Sequence, residues 1–399
     1  MSTEAVVRST VVAQQNLETN PRTLQVLTLS PFYPSQEDGA EGCFIAEPLE
    51  WTQRLRIRNE VLAVQPWYRA GRHCPLSQIP VHWEKFFALP GNPGLATTGA
   101  FLAFAVEPQI RRLKREGRLD LIHAHAALPC GHAAYLLARK LGIPFVVTVH
   151  GLDAFFTRQA GIFGSWSSRL CRNVYESADA VICISGAVRE AVESAAQAKT
   201  EVVYNGVDDA LFHPTAAPET HTILSVGNLI SIKGHFLLLH AFARIAGEFP
   251  GCKLEVIGDG PERGSLLRLA ADLGIGSRVR LLGRKSRIEV AEAMRSCCVF
   301  ALPSEFEGLG CVYLEAMASG KPVIACHGQG IAEIIQHGKN GILISARDQA
   351  ALAESLRVLL ENPDFRHRLG STARECILAR HTLAHQAQQL AAIYNRCAR

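Results

Sequence analysis

The first twenty residues lack an apolar core; they are polar and carry Glu4, Arg8 and Glu18. That excludes a secretory leader in this stretch and predicts a flexible tail over residues 1–21. Long hydrophobic runs are missing too. The most apolar stretch, Leu95 to Val106, is broken by Thr97, Thr98 and Gly99 and is too short to span a bilayer. The twelve cysteines show no CxxC or other paired metal spacing. Most sit inside apolar runs such as VICIS, so they are expected to act as small hydrophobes in a reducing cytoplasm, with no bound metal. Neither sign of charge dominates. Lys plus Arg number 41 against 37 Asp plus Glu, a net charge of +4, which argues against a bulk nucleic-acid partner.

What is present is enough apolar sequence for a large core. The chain has 399 residues, 48% of them hydrophobic, and exceeds the roughly 250–300 residues that one core supports, so two domains are expected. Short aliphatic runs alternate with longer amphipathic ones: LQVLTL (24–29), NEVLAV (59–64), LDLIHAH (119–125), PFVVTVH (144–150), DAVICIS (179–185) and EVVY (201–204). The alternation then restarts with HTILSVG (221–227), KLEVIGDG (253–260), RVRLLG (278–283), VFALPS (299–304), PVIAC (322–326) and GILI (341–344). Near-continuous aliphatic strands separated by helices predict parallel sheets covered on both faces. Two such series predict an α/β protein with two doubly wound domains. The boundary is placed where Tyr204 to Pro218 interrupts the pattern with turn formers. Residues 65–100, rich in Pro, Gly and aromatics, read as an insertion or long loop.

In open α/β sheets ligands bind outside the carboxyl ends of the strands, so chemistry is sought there. His123 and His125 end one strand run, and His150, followed by Gly151 and Asp153, ends the next. Lys233-Gly234 follows the first strand of the second series and precedes the helical run HFLLLHAFARI. A lysine beside a helix N-terminus suits a diphosphate. Gly258-Asp-Gly260-Pro-Glu-Arg263 forms a loose dinucleotide fingerprint, but G-x-G-x-x-G is absent from the first strand–helix turn of either half. An NADP-dependent oxidoreductase built on this loop therefore stays open at this level. The segment Pro303 to Gly320 is the most specific: a strand end, a loop punctuated by Gly308 and Gly310, then a helix through Glu315. Those glycines let amides approach a ligand closely. Glu307 and Glu315 are eight positions apart, roughly 12 Å of rise if helical. Paired hydrolytic carboxylates sit about 5–9.5 Å apart, so two hydroxylated parts of one long ligand fit this spacing better. Arg111, Arg112, Lys114, Arg115 and Arg118 form a basic run; a solvated helix end is its plain reading, contact with an anionic membrane the alternative.

From about Leu24 to Leu390 the sequence resembles the retaining glycosyltransferases of family four, which have the GT-B fold of two facing Rossmann-like domains. The resemblance is carried by LIHAH, VTVHGLD, NGVD (205–208), GDGPER (258–263) and EGLGCVYLEAMASGKPVI around Glu307 and Glu315. It implies transfer of a sugar from a nucleotide diphosphate sugar to a hydroxyl acceptor, a glycan or lipid-linked glycan, with no required cofactor. Glu307 would meet sugar hydroxyls beside the amides of Gly308, Leu309 and Gly310. Glu315 would hold the ribose, Lys233 the diphosphate, and His150 would line the sugar–acceptor site with His123, His125 and Asp153 nearby. The loop from Tyr33 to Phe44, with Gly42, would approach the diphosphate. Asn228 stands where relatives commonly carry arginine, leaving Lys233, helix N-termini and Arg263 to supply the charge. A GT-B epimerase or a non-catalytic sugar-nucleotide binder is the remaining alternative. The implied domains are 22–205 plus 376–399 and 206–375, the last helix crossing back onto the first. The resemblance also implies a cytoplasmic enzyme of envelope polysaccharide synthesis, working at the inner face of the membrane.

Overall fold

The computed structural model describes residues 22–35, 39–69, 78–89, 92–151, 162–215 and 220–398. The tail over 1–21, the end of the boundary segment and Asp153 lie outside the described residues. The first half runs β1 (Leu24–Ser30), α1 (Cys43–Gln53), β2 (Ile57–Pro66), β3 (Val81–Phe86), α2 (Asn92–Arg115), β4 (Leu121–His125), α3 (His132–Leu141), β5 (Phe145–Val149), α4 (Ile162–Ser177), β6 (Ala180–Cys183), α5 (Gly186–Glu193) and β7 (Thr200–Val202). The second runs β8 (Thr222–Val226), α6 (His235–Ile245), β9 (Lys253–Ile257), α7 (Arg263–Asp272), β10 (Val279–Leu281), α8 (Arg287–Ser296), β11 (Val299–Ala301), α9 (Cys311–Ala318), β12 (Val323–Cys326), β13 (Ile342–Ile344), α10 (Gln349–Glu361), α11 (Pro363–Arg380) and α12 (Leu383–Cys397).

The strands form two wholly parallel sheets, of seven strands in the order β3-β2-β1-β4-β5-β6-β7 and of six in the order β10-β9-β8-β11-β12-β13. Each is doubly wound: the order reverses between β1 and β4, and between β8 and β11. Such switch points open a crevice at the carboxyl edge. Central strands are buried on both faces, as their unbroken aliphatic runs require. Helix α12 lays Leu390, Ile393 and Tyr394 against Val26, Leu121, Val146 and Ile182 of the first sheet. The two chain crossings are tied together: the Val207 amide donates to the His381 carbonyl and the Leu383 amide to the Val207 carbonyl. At Gly206 a Cβ would lie 2.5 Å from the Thr382 carbonyl oxygen, so this strap admits no side chain there.

Of the expected loop over 65–100, most of the residues that are described belong to regular structure. Residues 81–86 form edge strand β3, hidden in the sequence because VHWEKF is half-exposed and carries no aliphatic run. Residues 92–115 form α2, whose Pro, Gly and Thr residues masked its periodicity. The expected loop from Tyr33 to Phe44 ends early as well: Gly42, at φ 77°, precedes α1, so Cys43 and Phe44 are already helical. Among the described cysteines none is disulfide-bonded.

Candidate active site between the domains

Two loops build the second domain's switch point. The loop after β8 carries Gly227 to Gly234; the loop after β11 carries Leu302 to Gly310. They are knitted together: the Glu305 amide and the Ser304 hydroxyl both donate to the Ile232 carbonyl, at 2.7 and 2.9 Å. At Gly234 (φ 71°) a Cβ would lie 2.1 Å from the Pro303 carbonyl oxygen, so only glycine allows the loops to approach this closely. This scaffold places Lys233 Nζ 2.5 Å from Glu307 Oε1, with both side chains mostly buried. Two residues chosen independently from the sequence are thus direct partners. A cation and an acceptor so close form a charge-assisted pair that an anionic or hydroxylated ligand has to enter.

The first domain meets these loops backbone to backbone. A Cβ on Gly308 would lie 2.5 Å from the His150 carbonyl oxygen, and one on Gly151 would lie 2.8 Å from Gly308 Cα. Behind His150 stands a chain of rings. His150 Nε2 and His125 Nδ1 are hydrogen-bonded at 3.0 Å, and His123 bridges the Tyr394 hydroxyl (2.6 Å) and Thr148 Oγ1 (2.7 Å). Burial pushes His150 down to about 4. Burial, then the His150 charge, pushes His123 to about 3, and burial lowers His125 as well. All three are neutral near pH 7.

A cleft of about 660 Å³ opens beside this contact. Gly42, Phe44 and Arg69 line it from the first domain, and Asn228, Gly258, Arg284 and Lys285 from the second. Gly42, Asn228 and Gly258, far apart in sequence, therefore share one cavity. Gly260 does not line it; a Cβ there would lie 2.5 Å from the Leu229 carbonyl oxygen, so its role is close packing. Arg263 turns away as well, donating to the Leu281 carbonyl at 3.0 Å. The cations that face the cleft alongside Asn228 are Arg284, Lys285 and Arg69.

Glu315 is buried on α9 and belongs to a group that sequence reasoning missed. Arg287 donates to Glu315 and also to both oxygens of Glu47 on α1, at 2.7 and 2.9 Å through Nη2. The signal was faint but present. Ser286 and Glu289 form a capping box, which places Arg287 in the first turn of α8. A cation there opposes the helix dipole and needs another reason to be present. Glu333 was missed too. Its carboxylate accepts from the Gly186 and Ala187 amides and the Tyr204 hydroxyl, each at 2.8 Å, so an acid from the second domain caps α5 of the first.

Two facing Rossmann-like sheets with a cationic, glycine-lined cleft at both carboxyl edges define the architecture of GT-B glycosyltransferases. The family Glycosyl transferases group 1 matches residues 208–376, and Glycosyltransferase Family 4 matches residues 53–211. N-acetyl-alpha-D-glucosaminyl L-malate synthase of Bacillus anthracis is 31% identical over 289 residues, covering 68% of this chain and 74% of that one. The chain belongs to the family 4 glycosyltransferases. Solved structures that share its fold include the following two. Sucrose-phosphate synthase from Thermosynechococcus elongatus has a TM-score of 0.78 at 22% identity, covering 93% of this chain and 98% of that one. The Anabaena protein HepE, solved in complex with UDP-glucose, has a TM-score of 0.71 at 21% identity, with 92% and 98% covered.

Proposed function

We propose that this glycosyltransferase moves a glycosyl group from a nucleotide diphosphate sugar, UDP- or GDP-linked, to a hydroxyl of a glycan or lipid-linked glycan, with retention at the anomeric carbon. The observation that carries the reading is the Lys233–Glu307 pair at a switch point, behind Gly227, which lines the cleft and would meet the Lys233 side chain at 3.7 Å if it carried a Cβ. The structural neighbour bound to UDP-glucose supports a nucleotide-sugar donor.

In this reading the donor's diphosphate lies in the cleft, where Lys233 meets the charge that develops as the bond from C1 to the phosphate oxygen breaks. Lys285, Arg284 and the α9 N-terminus add to that field, and Asn228 donates without charge. No metal is invoked. Glu307, released from Lys233 by the diphosphate, accepts from sugar hydroxyls beside the amides of Gly308, Leu309 and Gly310. Glu315 accepts from the ribose. The acceptor oxygen bonds to C1 from the face the phosphate leaves, and its proton passes to the departing phosphate oxygen. His150, neutral, lines the acceptor side with His125 and carries no charge to compete with the diphosphate. Contact between the His150–Gly151 and Gly308 backbones excludes water from the reacting carbon. The reading places the enzyme in the cytoplasm, in envelope polysaccharide synthesis.

Thermal shifts against UDP-, GDP- and ADP-sugars test it. A donor at a hundred times its Kd adds about 2.7 kcal/mol of stability. The UDP- or the GDP-sugar series is expected to raise Tm, and product to form only when acceptor is supplied; a response to ADP-sugars alone would reassign the base. Stabilisation by none of them overturns the donor assignment.

A further inference from the structure

Every exposed large aromatic ring among the described residues belongs to the first domain: Phe32, Trp67, Tyr68, Phe87, Phe101, Phe104 and Trp166. Their positions in the fold are related. Phe32 follows β1, Trp67 and Tyr68 follow β2, and Phe87 follows β3. In a parallel sheet these are all carboxyl-edge positions, the edge that also carries His125 and His150. Trp67 is tied to the same corner by its amide, which donates to the Phe86 carbonyl at 2.9 Å. The Phe87 and Phe101 rings pack edge to face at 5.0 Å, joining the strand end to helix α2.

Helix α2 extends this patch in a regular way. Its inner face buries Leu102, Val106, Ile110 and Leu113 in the core. At 100° per residue, Phe101, Phe104, Pro108, Arg111, Arg112 and Arg115 fall within an outward arc of about 100°, and all six are exposed. Phe104 is 82% exposed. One stripe is thus aromatic toward the cleft edge and cationic toward the opposite end, where Arg111 and Arg112 pair along the helix with Glu107 and Glu116, at 2.7 and 3.9 Å, and keep their other guanidinium nitrogens outward. Among the described residues no helix is long and apolar enough to cross a membrane, so the stripe suits a peripheral contact.

We propose that this face docks the first domain on an anionic lipid surface, the aromatic half entering the headgroup layer and the arginines pairing with lipid phosphates. A protein partner would have to present an apolar patch and an acidic patch roughly 15 Å apart along one line. An anionic bilayer presents both everywhere. The orientation deepens the proposed function: it holds the acceptor edge of the sheet at the membrane, where a lipid-linked glycan would be offered. It rests on that reading for its purpose only, because docking needs no donor.

Sedimentation of the full chain with vesicles tests it, using phosphatidylcholine alone and phosphatidylcholine with a third phosphatidylglycerol. The wild type is expected to sediment with the anionic vesicles and to be released as salt is raised. Phe104→Ser and Arg115→Gln change exposed positions and leave the fold intact, which a thermal melt verifies. Each is expected to lower the partition coefficient, the phenylalanine variant by about tenfold. Equal binding to both vesicle types, or no loss with either variant, overturns the proposal. So does a change of oligomeric state in Phe104→Ser without vesicles, which would assign the patch to a second copy of the chain. Failure here with intact donor-dependent Tm shifts leaves the transferase reading standing.

Discussion

Arg287 reaches across the cleft to Glu47, closing on both of its carboxylate oxygens while also holding Glu315 of its own domain. The residue assigned to the donor ribose is thereby wired to a helix of the facing domain. Arg287 is mostly buried and its guanidinium lies 4.9 Å from the Phe212 ring, which fixes its plane. Replacing it by methionine strands the buried Glu315 and the half-buried Glu47 without a cation, a loss of about 3 kcal/mol. Glu47→Gln keeps the Arg287–Glu315 pair and costs about 1 kcal/mol. Denaturant midpoints are expected to rank the variants in that order. Arg287→Met should also raise donor KM more than Glu47→Gln does, and the reverse ranking would refute the wiring.

Lys233→Ala removes the cation from the switch-point pair and leaves Glu307 without its partner. If Lys233 stabilises the departing diphosphate, kcat/KM for transfer falls by about 10²–10³, while Lys233→Arg retains part of the activity. Full transfer activity in the alanine variant, measured with the donor identified by thermal shift, would reject the assignment.

The architecture was legible because parallel strands buried on both faces must be aliphatic throughout, and twelve such runs stood out. Edge strand β3 was not, since a half-exposed strand such as VHWEKF need not be aliphatic. The site divides along a similar line. Lys233, Glu307 and the glycines after β8, β9 and β11 are local signals: a residue type at the end of a strand. Glu47, Arg287 and Glu333 act through partners more than a hundred positions away in the other domain; such pairing leaves no trace at Glu47 or Glu333, and at Arg287 only the misplaced cation in the first turn of α8. Arg263 shows the opposite failure, a basic residue in a suggestive loop that folding turns toward β10.

Stability should depend steeply on acidity between pH 4.5 and 6.5. Burial lowers His123 to about 3 and His150, His235 and His381 to about 4, and lowers His125 as well. Below about 6.5 the unfolded chain binds protons at these sites and the native state does not. Their contribution is therefore complete above 6.5 and is lost as pH falls toward 4, by about 1.4 kcal/mol per pH unit for each histidine. Glu47, pushed up to about 7 chiefly by burial, works the other way: the native state keeps a proton that the unfolded chain has shed, which offsets one histidine. Urea unfolding across this window should show stability rising with pH. His150→Gln should flatten the slope by about one proton; an unchanged slope would mean that His150 is charged in the native state.

Gly308 and Gly264 make a controlled pair. At Gly264, in the first turn of α7, a Cβ would meet nothing within 4 Å. Alanine there should be neutral or add up to about 1 kcal/mol, the usual gain over glycine in a helix. At Gly308 the same methyl group would lie 2.5 Å from the His150 carbonyl oxygen and 3.0 Å from Ile184 Cδ1. Neither obstacle is the free end of a flexible exposed chain, so the domains themselves must separate. A displacement of about 1 Å at a reacting centre costs on the order of 10²-fold in rate. Gly308→Ala is therefore expected to lower kcat by about that factor, with Tm shifted far less than kcat because the two cores are untouched. A variant with normal kcat would show that the backbone contact between the domains is not part of the reactive arrangement.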